Sequence, residues 1–167
     1  MRGSTVRWLL VVGTVYMVQV AFLGDLRIAG VHPDLMLLVA VVAGLCGGPS
    51  RGASIGFVAG LLVDLVVPGR LGTTALAYSL VGFGTGLLGE SVIRSARVIV
   101  LGLVMAGSAV GVLLYALIAN LLGQVTLSDP RLGLIVGIVA AFNVVLCLPL
   151  IAVGQWAEDY EPAAAYR

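Results

Sequence analysis

The chain contains no lysine, a single histidine and two cysteines, and only 10% of its 167 residues are charged. Each scarcity excludes something. Nine arginines against eight acidic residues leave a net charge of +1, so there is no basic surface of the kind that binds nucleic acid. Two cysteines, Cys46 and Cys147, are too few and too isolated for a disulfide framework, and read as small packed hydrophobes. The one histidine, His32, has only Asp34 near it at ligand spacing, so no metal site is implied. No paired carboxylates fall within one apolar run, and no serine or threonine stands in a motif with a base. The glycines are spread through apolar segments, so there is no phosphate-binding loop either. The inventory proposes no enzyme and no cofactor.

What is present is hydrophobic surface. Hydrophobic residues make up 60% of the chain, with a mean hydropathy of +1.15, where soluble domains are about half apolar and a quarter charged. A helix that spans a bilayer needs roughly 20 mostly apolar residues, so this length accommodates about six spans and no extramembrane domain. The apolar runs between polar punctuation predict an all-α integral membrane protein. Its single bundle has helices at about 6–23, 33–47, 52–67, 71–89, 98–122 and 132–155, followed by a short, acidic, solvated tail, 156–167. The second and third are joined only by the GGPSR stretch at 47–51, and the third and fourth by PGR at 68–70, which predicts two tight helical hairpins. The apolar/polar alternation of a membrane barrel is missing. With six spans, Arg2, Arg7, Arg51, Arg94, Arg97 and Arg167 share one side and Arg27, Arg70 and Arg131 the other, so the positive-inside rule puts both termini in the cytoplasm. The N-terminal run lacks an A-x-A-like cleavage site and reads as a signal anchor.

One carboxylate, Asp64, stands inside the apolar run GFVAGLLVDLVVPGRLGTTALAYSLVGF at 56–83. Gly44, Gly48, Gly52, Gly56 and Gly60 recur every four residues, and Asp64 is the next step. Residues four apart share a helix face, so Gly52, Gly56, Gly60 and Asp64 form one stripe on which a second helix backbone can approach closely. The pairs Gly82/Gly86, Gly107/Gly111 and Gly133/Gly137 have the same spacing and carry less weight, because so many glycines produce such pairs by chance. A carboxylate facing lipid costs several kcal/mol, so Asp64 is expected to face the bundle. It lies near the end of its helix, where the dipole disfavours an anion. The free amides that open the next helix at Gly72, Thr73 and Thr74, or the guanidinium of Arg70, are the nearest groups to compensate it. Contact with another membrane subunit or a substrate is the alternative.

These residues carry a resemblance. HPD at 32–34, an apolar helix, a short basic turn and then the Asp64 segment resemble the rod shape-determining protein MreD family. In that family a proline-led second helix precedes a G-F-x-x-G-x-x-x-D helix and an L-G-x-x-x-L restart. The matching positions here are Pro33, Gly56, Phe57, Gly60, Asp64, Leu71, Gly72 and Leu76. Asn143 and Pro149 loosely match an Asn and a Pro of the last helix. His32 stands where arginine often precedes the proline, and aromatic residues common in the second helix are absent. The resemblance implies a non-catalytic scaffold of cell-wall elongation in the bacterial inner membrane. Its implied partners are the single-span protein MreC, the actin-like MreB filament, and the peptidoglycan polymerase and transpeptidase. The family is also similar in architecture to the S-components of energy-coupling-factor vitamin transporters, which makes a small-solute binder the rival reading. Against it, the first helix contains only one alanine, Ala21, where S-components dock through A-x-x-x-A, and few polar residues beyond Thr14 and Gln19.

Overall fold

The computed structural model describes residues 2–23, 32–67, 70–92, 97–124, 126 and 130–158, and among them the regular structure is entirely helical. The elements are α1 (Arg2–Val18), which widens into a π-helical turn at Gln19–Leu23, α2 (Leu35–Val66), α3 (Thr73–Val92), α4 (Arg97–Leu121) and α5 (Leu132–Ala157). Among the described residues, four helical segments are long and apolar enough to cross a bilayer: Gly3–Ala21, Leu35–Val66, Arg97–Leu121 and Leu132–Ala157. The hairpin turn expected at 68–70 and the loop at 93–96 lie wholly or mostly outside the described residues, as does the tail beyond Glu158.

The expected second and third helices are one continuous element with a break. Gly48 inside α2 adopts φ 79° and ψ −179°, a backbone state closed to residues with a side chain, and Pro49 follows it. Proline lacks the amide that the first turn of a new helix leaves unpaired anyway, so helix resumes at once. The connection is therefore shorter than the linker the sequence led us to expect. The chain folds back on itself here: a methyl group placed on Gly52 would overlap the Cα of Gly44, and one on Gly56 would press on the Cβ of Ala40. Residues eight and sixteen apart meet only when the two arms run antiparallel. At 1.5 Å per residue, the arms 35–47 and 49–66 are roughly 20 and 27 Å long.

The first arm is the centre of the molecule. Every residue from Met36 to Ala43 is fully buried, whereas Leu9, Leu10, Leu87, Val98 and Val145 are exposed around the periphery. An apolar rim around an apolar core is the pattern of a bundle solvated by lipid, where hydrophobicity does not separate inside from outside and close packing does. Its N-terminus is held by two side chains. Asp34 accepts from the Leu37 amide at 3.1 Å as N-cap, and Oε1 of Gln19, delivered by the π turn of α1, accepts from the amides of Leu35 and Met36 at 3.0 and 3.1 Å.

Candidate functional site

The stripe Gly52, Gly56, Gly60 and Asp64 lies on the second arm of α2, and all four residues are buried. It faces α3 backbone to backbone. A Cβ on Gly52 would strike the carbonyl oxygen of Gly82, one on Gly56 the carbonyl of Tyr78, and one on Gly60 would lie 2.5 Å from the Cα of Ala75. The α3 side is equally small: a Cβ on Gly82 would strike the carbonyl of Gly52, and one on Gly86 would lie 2.5 Å from the Cα of Pro49. Gly44 meets the same stretch of α3 from the first arm. The four-residue repeat therefore does not run along a single helix face through position 48. The reversal at Gly48 sets Gly44 opposite Gly52 and Ala40 opposite Gly56, and α3 lies in the seam between the two arms.

Asp64 ends the stripe at the N-terminus of α3. Its Oδ2 accepts from the backbone amides of Gly72 at 2.8 Å, Thr74 at 3.2 Å and Ala75 at 3.2 Å, and Oδ1 is 3.2 Å from the Thr74 amide. The carboxylate thus occupies the anion site that unpaired amides create at a helix start. The amide of Thr73, expected among the donors, instead points to the carbonyl of Arg70 at 3.3 Å, and the Thr73 hydroxyl donates to the same carbonyl at 2.9 Å. Gly72, at φ 96°, adopts the left-handed backbone that brings its amide inward. Arg70 is exposed, and among the described residues no ion pair joins it to Asp64.

Asn143 sits elsewhere, on the α4–α5 interface. It is fully buried and its Nδ2 donates to Oγ of Ser108 at 2.9 Å, while its Oδ1 has no hydrogen-bond partner. Of the isolated glycine pairs, Gly82/Gly86 packs on α2 and Gly107/Gly111 receives the side chains of Thr85, Val41 and Leu37, whereas Gly133/Gly137 faces open space.

Two polar arrangements were not anticipated. At the end of the bundle that holds the Gly48 break, Glu158 receives Nε1 of Trp8 at 2.6 Å and Oγ of Ser4 at 3.0 Å, and pairs with Nε of Arg51 at 2.9 Å. Arg51 also donates to Oγ1 of Thr5, and the Arg7 guanidinium lies 5.3 Å from the centre of the Trp156 ring. Trp156 and Ala157 are still in α5, so the segment expected as a solvated tail begins by tying α1, α2 and α5 together. At the opposite end the Tyr78 hydroxyl donates to Oδ2 of Asp34. Burial pushes the Asp34 carboxyl above the usual carboxylate range, while that hydroxyl and the amides of Leu37 and Met36 hold it down. Beside this pair a cavity of about 200 Å³ opens among α2, α3, α4 and α5, with His32 at its edge. The described residues contain no group of three or more His, Cys, Asp or Glu that could hold a metal ion.

No curated protein and no solved structure matches the chain. Residues 2–153, nearly its whole length, match the family described as rod shape-determining protein MreD, and a packed helical hairpin clasped by Asp64 is thus the core of a chain that belongs to the MreD family.

Proposed function

We propose that this protein is a non-catalytic scaffold of the rod-shape machinery that binds a single-span, MreC-like partner in the bacterial inner membrane. Through that partner it is coupled to MreB-like filaments and to the polymerase and transpeptidase of cell-wall elongation. The observation that carries the reading is where the polar side chains go: Gln19, Asp34 and Asp64 cap the starts of the molecule's own helices, and Glu158 ties Ser4, Trp8 and Arg51 together. Such groups rigidify a bundle and leave its apolar exterior for other membrane helices. In this reading the two arms of α2 and the 20-residue α3 each cross the membrane, giving six crossings with both termini in the cytoplasm. The short first arm fits a locally thinned bilayer.

Purification from mild detergent tests the function. A single-span partner with an outer domain is the expected companion, and recovery of a transporter module instead overturns the proposal. The rival, a vitamin-binding protein of S-component architecture, needs room for its solute. The cavity beside Asp34, about 200 Å³, lies below the roughly 300–1,000 Å³ of small-molecule sites, and the larger hollows, about 340 Å³ beside Gly107 and about 720 Å³ beside Phe57, are lined by no charged side chain.

A further inference from the structure

That cavity is too small for a vitamin but is not an ordinary packing defect, because empty voids in proteins are apolar and polar side chains line this one. Leu37, Val63, Val112, Ile135 and Val139 form its apolar side. His32, Asp34, Thr74, Tyr78 and Tyr115 are its polar lining. The Asp34 carboxylate accepts the Leu37 amide and the Tyr78 phenol and lies against the Met36 amide, which still leaves acceptor capacity on its oxygens. The Tyr115 hydroxyl has no hydrogen-bond partner among the described residues. Among the described lining residues only His32 can carry a positive charge, and no ion pair joins it to Asp34. A buried carboxylate is costly; the Tyr78 hydroxyl and the neighbouring amides offset part of that cost, and a cation in the cavity offsets more.

We propose that the Asp34–Tyr78–Tyr115 cavity is a binding site for a primary ammonium group carried on a short carbon stem. The ammonium donates to Asp34 and to the oxygen of Tyr115, and the stem lies on Leu37, Val112 and Val139. A charged, multiply donating head matches the acceptors, and the apolar wall matches the stem; an anion or a bare hydrocarbon satisfies only one side of the cavity or neither. A free small amine and the aminoethyl headgroup of a phospholipid share this chemistry. The site is independent of the scaffold reading and survives its failure.

The test is melting of the purified protein in amine-free buffer at neutral pH, titrated with n-butylammonium and, in parallel, with n-butanol, which has the same stem without the charge. A saturable rise in melting temperature with the amine alone is expected. Asp34→Asn preserves an N-cap oxygen and so the start of α2, but removes the charge; it should weaken binding by about tenfold, as loss of a charged hydrogen bond does. Equal rises with amine and alcohol, or unchanged affinity in Asp34→Asn, overturn the proposal. Should that variant fail to fold, Tyr115→Phe decides, with unchanged affinity again overturning it. Nanodiscs of phosphatidylethanolamine and of phosphatidylglycerol separate the sources. An Asp34-dependent rise specific to the ethanolamine lipid identifies the headgroup, and a rise with soluble amine only identifies a free ligand. Absence of both effects overturns the site.

Discussion

Asp64 is satisfied by three backbone amides, and this determines how its substitutions differ. Asparagine retains one acceptor oxygen. Oriented like Oδ2 it keeps the Gly72 and Ala75 contacts but turns its own amide toward Thr74, so Asp64→Asn should lose about 1–2 kcal/mol, the step from a charged to a neutral acceptor. Alanine leaves all three amides facing a void, and Asp64→Ala should lose roughly 3 kcal/mol or more. Thermal melting in detergent gives both values. Partner capture by the same variants separates a clasp from a contact: an Asn variant that stays folded yet no longer captures its partner shows that the charge is read from outside. The position of this carboxylate was legible because an acid in an apolar run near a helix end needs donors, and the next helix start is the closest supply. Which amides it takes was not, since Gly72's left-handed backbone rotates Thr73 away and brings Ala75 in.

At the scale of helices, the α2–α3 contact distinguishes glycines that touch a backbone from glycines that do not. A methyl on Gly60 collides with the main chain of Ala75, which cannot move as a side chain does. Gly60→Ala should therefore destabilise strongly and Gly56→Leu should abolish folded yield, while the peripheral Leu61→Ile should do little. Gly84 and Gly102 are helical with nothing near the site of a Cβ, so alanine there should be neutral or stabilising by up to about 1 kcal/mol, the helix preference of alanine over glycine. A melting series over these variants checks the contrast; equal tolerance at Gly60 and Gly84 rules out the backbone seam. The stripe itself was visible as spacing. Gly44 and Gly48 fall before and within the turn expected at 47–51, and spacing along the chain did not reveal that Gly44 packs opposite Gly52.

For the whole molecule, membrane topology is the measurable consequence. Single cysteines at Gly3 and Ser95 should be shielded from an impermeant thiol reagent in intact cells, and one at Ser128 should be labelled, in a background lacking Cys46 and Cys147. Ser95 and Ser128 lie outside the described residues, so this rests on the arginine distribution alone. Labelling at Ser95 but not at Ser128 inverts the orientation. At the end of the molecule expected in the cytoplasm, Glu158 joins Ser4, Trp8 and Arg51 from three distant parts of the chain. The sequence carries only a weak hint of this, the first of three acids, Glu158, Asp159 and Glu161, just past an apolar helix. A solvated tail and a buried lock have the same composition there.

Hydropathy alone determined that this is a helical membrane protein. The cost of burying unpaired backbone groups in lipid admits few other structures, and composition is a sum that does not depend on contacts. Local chemistry likewise determined that Asp64 would be paired and that Gly52, Gly56 and Gly60 would let a helix approach, since both follow from the residue and its spacing. Only the tertiary structure decided that Gly44 lies opposite Gly52 across the Gly48 turn, that Gln19 caps a helix sixteen residues away, and that Asp34, Tyr78 and Tyr115 line one cavity. In a chain whose core and lipid-facing surfaces are equally apolar, hydrophobic pattern does not say which face meets which. That is decided by steric fit between backbones and by the few polar groups that must find one another.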